Sequence, residues 1–211
     1  MADKVTIMSS GGSNNEDIRI ITAKKNMLWF GIISLSMSFA GLTSAYVVSK
    51  ERPDWLGDFE LPPAFFISLF VIVVSSVTMH LAKRAVSNEQ NKKGMMLLIA
   101  TFLLGIAFVF FQFKGFSEII ANGYYFTGPT SSITTSFIYL AVILHVAHVT
   151  AGLVSLGVVI YNHYKLKYIN GKTSGIEIAA TFRHFIDVIW IYLFLFLYFV
   201  KYKLTVFLKI N

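Results

Sequence analysis

Apolar residues in this chain gather into five long runs separated by short polar stretches. The runs cover approximately residues 26–48, 63–82, 95–114, 133–161 and 178–200. Each is close to or above the ~20 mostly apolar residues that a helix needs to cross a hydrocarbon core of ~30 Å. The pattern predicts an all-α integral membrane protein, a bundle of five transmembrane helices. The competing reading is a soluble all-helical protein with unusually apolar helices.

The polar stretches divide the chain further. Residues 1–25, "MADKVTIMSSGGSNNEDIRIITAKK", have a Gly/Ser/Asn-rich middle and no apolar core leading to a small-residue cleavage site, so they read as a flexible polar tail and not as a signal peptide. Residues 26–211 then form one transmembrane domain. "ERPDWLGDFELPP" carries Pro53, Pro62, Pro63, four acids and the interfacial aromatic Trp55, and it reads as a loop closed by prolines at the start of helix two. The short turn "KRAVSNEQNKKG" predicts that helices two and three are antiparallel neighbours. "NGYYFTGPTSS" reads as an aromatic turn, with Thr130 or Ser131 as the N-cap of helix four. There is no internal repeat, and no pair of broken helices of the kind that marks inverted-repeat transporters.

Composition decides between the two readings. Residues are 55% hydrophobic and 14% charged, with mean hydropathy +0.66, which does not describe a water-facing surface. Basic residues set an orientation. With the N-terminus in the cytoplasm, eleven Lys and Arg flank the spans inside (Lys4, Arg19, Lys24, Lys25, Lys83, Arg84, Lys92, Lys93, Lys165, Lys167, Lys172) against six outside (Lys50, Arg52, Lys114, Lys201, Lys203, Lys209). This predicts N-in, C-out. The net charge of +7 then needs no nucleic-acid partner, because basic loops facing anionic lipid produce the same excess. The absence of cysteine removes disulfides and thiolate-ligated metals.

Polar residues inside the spans are the candidate chemistry. Helix one has a stripe of small residues, Ser34, Ser38, Gly41 and Ala45, of the kind that lets membrane helices approach closely. Helix four has His145 and His148 three residues apart, continued by Gly152 and Ser155. Interhelical hydrogen bonding is the first reading of the histidine pair; a proton or headgroup role, or a metal or haem, are the others. A transition-metal site would want further ligands, and a bis-histidine haem would want a facing histidine, of which helix five offers only His184. Helix five places Glu177, Arg183, His184, Asp187 and Trp190 in one segment. Arg183 and Asp187 are i, i+4, while His184 and Asp187 are i, i+3, so one carboxylate could serve both cations. An unpaired charge at mid-span costs about 2.5–3.5 kcal/mol on insertion scales, which mutual pairing would reduce. Glu118, at the end of helix three, can reach water or a headgroup.

These residues carry a resemblance. "LHVAHVTAG" (144–152) followed by "GIEIAATFRHFIDVIWIYLF" (175–194) resembles the two closing helices of subunit III of haem-copper respiratory oxidases. That family typically reads His-x-x-His-x-x-x-Gly, then Gly-x-Glu and a Trp-His-Phe-x-Asp-x-x-Trp run. His145, His148, Gly152, Gly175, Glu177, His184, Phe185, Asp187 and Trp190 match without a gap inside either motif. "FFQFKGFSE" (110–118) is similar to the family's Leu-Gln-x-x-Glu-x-x-Glu stretch, and "FGIISLSMSFAG" (30–41) to its Ile-Ser-Glu-x-Met-Phe-Phe-Ala-Gly helix. Three positions depart: Leu35 and Gly115 stand where the family typically has an acid, and Arg183 where it more often has an aromatic. Five spans match the short bacterial form, not the seven of the long form.

The resemblance implies a non-catalytic subunit of a proton-pumping terminal oxidase in the bacterial inner membrane, reducing oxygen to water in aerobic electron transport. Haems and copper would lie in partner subunits and none in this chain, with subunit I, subunit II, other small subunits and phospholipid as partners, within or without a larger supercomplex. Glu118, His145, His148, Glu177, Arg183, His184, Asp187 and Trp190 would serve as polar glue, headgroup contacts or proton-related groups. An accessory subunit of a nitric oxide reductase, and a small transporter or proton channel, are the alternatives; the channel reading wants a proline-broken helix, and helices four and five contain no proline.

Overall fold

A computed structural model describes the backbone of residues 2–52, 55, 62–128, 131–165, 168 and 173–210, and the side chains of 16, 18–50, 52, 55, 62–128, 131–165, 168 and 173–199. Five α-helices account for nearly all of it: α1 (Ala2–Val48), α2 (Pro63–Ser87), α3 (Asn91–Ala121), α4 (Ile133–Tyr164) and α5 (Ser174–Ile210), with a 3-10 turn at Ser49–Glu51 after α1. Each holds a stretch long and apolar enough to span a membrane, in α1 from Ile18 and in α5 to Phe199. Most side chains of the stretch read as a polar tail lie outside the described residues.

The helices overrun the apolar runs that announce them. The 31 residues of α3 would measure about 46 Å at ~1.5 Å per residue, well beyond a ~30 Å core. Its polar first turn, Asn91 to Gly94, and its last turn past Lys114 are helical because nothing in them stops a helix until a dedicated end motif does. That motif is the same after α2 and α3. The amide of Gln90 donates to Ala85 O and that of Glu89 to Val86 O; the amide of Tyr124 donates to Ile119 O and that of Gly123 to Ile120 O. Both are Schellman ends, with the residue after the cap left-handed: Gly123 at φ 81° and Glu89 at φ 57°. Glutamate pays a steric cost there that glycine does not.

Helix starts follow the chemistry of unsatisfied amides. Pro63 opens α2 at a position where a missing N–H is no loss. The N-cap of α4 is Ser132, one residue beyond the expected pair: its hydroxyl accepts from the Thr135 amide while Thr135 answers with its own side chain, a reciprocal capping box. Ser131 instead donates to Gly128 O within the turn, and Thr130 lies outside the described residues. Thr135, Ser136 and Tyr139 then bond the carbonyls of Tyr125, Phe126 and Tyr124, laying the aromatic turn onto α4.

Helices α2, α3, α4 and α5 form a closed ring, each touching the next and α5 returning to α2, with α2 and α3 the most extensive pair. Helix α1 rests outside the ring against α4 and α5. Two apolar clusters fill the interior. The larger includes Phe65, Ile72, Phe108, Val149, Ile186 and Trp190; the smaller includes Met79, Leu98, Leu156, Val159, Ile176 and Ala180. On every ring helix the boundary between them falls at a small or polar residue: Ser75 on α2, Thr101 and Gly105 on α3, Gly152 on α4, Arg183 on α5.

Close approach within the ring depends on missing side chains. A Cβ at Gly115 would run into the ring of Phe65, whereas one at Gly157 would meet nothing within 4 Å. Gly115→Ala is therefore expected to lower the melting temperature of the purified subunit, with an overpacking cost of about 1–3 kcal/mol. Gly157→Ala should leave it unchanged or raise it, through the ~1 kcal/mol of helix propensity that alanine gains over glycine. Equal shifts for both variants would contradict the close approach at Gly115.

Candidate functional site

The α5 cluster lies in the ring interior. Arg183 and Asp187 are each 2% exposed, and their i, i+4 spacing brings Arg183 Nε to 3.4 Å from Asp187 Oδ1. Arg183 Nη2 donates to Ser75 Oγ on α2 at 3.0 Å. The guanidinium also covers Gly105 on α3, where a Cβ would sit 3.0 Å from Nη2, 3.1 Å from Nη1 and 2.6 Å from a Leu153 methyl of α4. One side chain thus spans α5, α2 and α3 at the boundary between the apolar clusters. Interhelical hydrogen bonds in membranes average only ~0.6 kcal/mol, whereas breaking a buried ion pair by removing one partner costs about 3–5 kcal/mol. The pair therefore outweighs the serine contact.

His184 does not share Asp187 with Arg183. Consecutive helical residues point about 100° apart, and His184 turns to α2, where its Nδ1 lies 2.7 Å from Ser76 Oγ and its ring 6.4 Å from that of His80. The idea of one carboxylate serving both cations gives way to two separate contacts with adjacent serines of α2.

The helix-four histidines also part. His145 is fully buried and its Nε2 donates to Ile186 O across the α4–α5 interface at 3.1 Å. Its ring lies 5.0 Å from Trp190, and Phe108 approaches the edge of both. His148 is half-buried and donates from Nδ1 to Leu144 O of its own helix at 2.6 Å, with Phe39 of α1 against its ring. The two imidazoles do not converge, and among the described residues no group of three His, Asp or Glu could hold a metal ion. Gly152 lets α4 and α5 close up, its Cβ direction meeting Ile186 Cδ1 at 3.3 Å.

The remaining candidates are peripheral. Glu177 sits in the first turn of α5, where the helix dipole favours an anion, and pairs with Lys25 of α1 at 3.2 Å, both partly exposed. Such an exposed pair is worth at most ~1 kcal/mol. Two residues earlier, the Tyr168 hydroxyl would touch any Cβ on Gly175; burial raises that phenol's pKa, opposed by a hydrogen bond with Asn162. Glu118 is half-buried near the end of α3. Ser34, Ser38, Gly41 and Ala45 all face away from the rest of the chain, and a Cβ at Gly41 would meet nothing within 4 Å.

Several interior polar residues escaped the sequence reading. Ser75 accepts from Arg183 and Ser76 is bonded to His184; Gln112 Nε2 donates to Ser68 Oγ at 2.9 Å, and Thr101 to Thr78 at 2.9 Å. The signal was available: Thr101, Gly105, Phe108 and Gln112 recur at four, three and four, as does the stripe of helix one. In α3 this face turns inward, and in α1 outward.

Comparison with known proteins points the same way. The family model described as cytochrome c oxidase subunit III matches residues 27–202. The chain is 27% identical over 197 residues to cytochrome bo(3) ubiquinol oxidase subunit 3 of Buchnera aphidicola subsp. Acyrthosiphon pisum, covering 92% of this chain and 94% of that one. It is 28% identical over 174 residues to the protein of the same name from Pseudomonas aeruginosa, covering 81% of each. To cytochrome c oxidase subunit 3 of Tetraodon nigroviridis it is 30% identical over 146 residues, 68% of this chain and 51% of that one.

The energetic ranking of the site is testable by substitution. Asp187→Ala, which leaves Arg183 buried without its anion, is expected to cost about 3–5 kcal/mol and to deplete folded protein in the membrane. Ser75→Ala should cost a fraction of that, and the double replacement Arg183→Leu with Asp187→Leu should recover most of the loss, since an apolar pair replaces a buried ion pair with little penalty. Detergent-extractable folded protein, measured for the three variants, checks the order. Asp187→Ala accumulating like the unsubstituted chain would refute it.

Proposed function

The chain belongs to the cytochrome c oxidase subunit III family, and on that premise we propose that it stabilises the catalytic subunit of a haem-copper oxidase without carrying redox centres of its own. Family membership makes it a multi-pass membrane component of an oxidoreductase complex, one that works with other oxidase subunits. The observation that carries the finer reading is the use made of the buried polar side chains. His145 is spent on Ile186 O, His148 on Leu144 O, His163 on Asn91 O, and Arg183 on Asp187 and Ser75. These are fastenings between and within helices. Haems and copper belong, on this reading, to subunit I, and in a cytochrome c oxidase also to subunit II, within a complex that reduces oxygen to water and moves protons.

The subunit would sit N-in, C-out in the bacterial cytoplasmic membrane, as the Lys and Arg distribution favours. Its α1 face of Ser34, Ser38, Gly41 and Ala45 suits a transmembrane helix of another oxidase subunit, because lipid provides no hydrophobic drive and close backbone approach must supply the contact. Half-buried Glu118 and the Lys25–Glu177 pair lie near opposite ends of the bundle, where phospholipid headgroups are within reach. By holding the catalytic subunit and its lipid in place, the chain would sustain proton uptake over many turnovers. The matched relatives are oxidase subunits, which favours this reading over a nitric oxide reductase subunit or a transporter.

Affinity purification of the tagged chain from native membrane is expected to bring down a haem-containing catalytic subunit, seen by absorbance and subunit masses, while the chain purified alone shows no haem band. A complex lacking the chain should start at normal oxygen consumption and lose activity during sustained turnover. A stoichiometric haem band in the isolated chain, or equal decay with and without it, would overturn the proposal.

A further inference from the structure

The ring interior holds more polar atoms than the fastenings use. Arg183 Nη1, Trp190 Nε1 and Gln112 Oε1 make no hydrogen bond to the described residues, and Asp187 Oδ2 has none within 3.5 Å although the Ser76 hydroxyl approaches the carboxyl; their side chains are at most 2% exposed. Both acceptors and donors are present: a carboxylate and an amide oxygen against a guanidinium and an indole N–H. They lie along one row. Arg183, Asp187 and Trp190 follow one another at four and three residues on α5; Phe108 touches Trp190 at 5.4 Å, and Gln112 stands one turn beyond Phe108 on α3. The row is closed on the α2 side by Ser75, bonded to Arg183, and by Ser68, bonded to Gln112, with Phe65 between Ser68 and Trp190.

Such a row cannot be left as it is inside a bilayer. A polar group without a partner in hydrocarbon costs several kcal/mol, and lipid tails offer no donor or acceptor. Direct closure is limited by the helix itself, which fixes Asp187 and Trp190 three residues apart, and by Gln112, whose amide nitrogen is already turned to Ser68. A small molecule that donates and accepts at once satisfies all four groups, and buried waters typically make about three hydrogen bonds each to polar groups of this kind.

We propose that the interior of the α2–α5 ring is a binding site for ordered water, bridging Asp187, Arg183 and Trp190 of α5 to Gln112 of α3. The bound water joins Ser75 to Ser68 through solvent and makes one polar column of what the side chains alone leave as two segments. Trp190 is then hydrated although the protein surrounds it completely.

Radiolytic labelling of the intact oxidase complex in ¹⁸O-water, read by mass spectrometry, tests this, since hydroxyl radicals formed from bound water mark the adjacent side chains. Oxygen-18 is expected on Trp190 at a dose that also marks Trp55 in the loop. Gln112→Leu, which removes one wall of the site, should lower Trp190 labelling several-fold; Gln112→Met, closer in volume, takes its place if the leucine variant does not assemble. An unlabelled Trp190, or labelling equal with and without Gln112, overturns the proposal.

Discussion

A guanidinium held away from both bulk water and lipid governs the arrangement of the other helices. Arg183 needs an anion within its own helix, a polar acceptor on α2 and a gap in the side chains of α3, and Asp187, Ser75 and Gly105 supply them. Each requirement fixes a height along the bundle. In water, burial of apolar area would set the register of four helices well enough; in a bilayer the tails are as apolar as the leucines, and that drive is missing. Buried polar contacts are a known means of specifying register, and here they lie at one level across three helices. The two apolar clusters above and below then fill whatever space the layer has defined.

That division also separates a closed ring from an appended helix. The ring of α2 to α5 is complete in itself, with its polar side chains turned inward. Helix α1 is attached to its outside through Phe39 and Tyr46, through Thr43 bonded to Tyr192 of α5, and through Lys25 to Glu177. It keeps an outward face of small residues. An element so weakly enclosed is suited to completing an interface with another chain, and the ring is suited to being the rigid body that α1 is pressed against.

Much of this was legible in the sequence, and what was not has a physical cause. The spans were readable because hydrocarbon thickness imposes a length on apolar runs, and no such rule governs where helices end in water; α3 continues seven residues past Lys114 to a Schellman end that composition does not advertise. The Arg183–Asp187 contact was readable because i, i+4 spacing is internal to one helix. His184 could not be placed the same way, since its partner is Ser76 on another helix and no spacing rule reaches across elements. The small stripe of helix one was visible, but its direction was not. Periodicity identifies a face without saying what the face meets, and the equivalent face of α3 does not stand out in the sequence because it mixes threonine, glycine, phenylalanine and glutamine.

The positions where the chain departs from the family motifs fit this physical picture. The acid typical of the family cannot stand at Gly115, because the ring of Phe65 occupies the space where its Cβ would be, and Phe65 in turn lies edge-on against Trp190 at 5.7 Å. At position 183 an arginine replaces the usual aromatic, and it fits only because Gly105 opposite has no side chain. Leu35 is half-buried and packs against the larger apolar cluster. So carboxylates are absent where neighbouring apolar groups have closed in, while a cation appears one turn before Asp187, the motif carboxylate that was retained. The outcome is a pair where the motif alone would give a lone buried acid, with Arg183 Nε 3.4 Å from Asp187 Oδ1, and the second carboxyl oxygen is left to face the polar column through the ring.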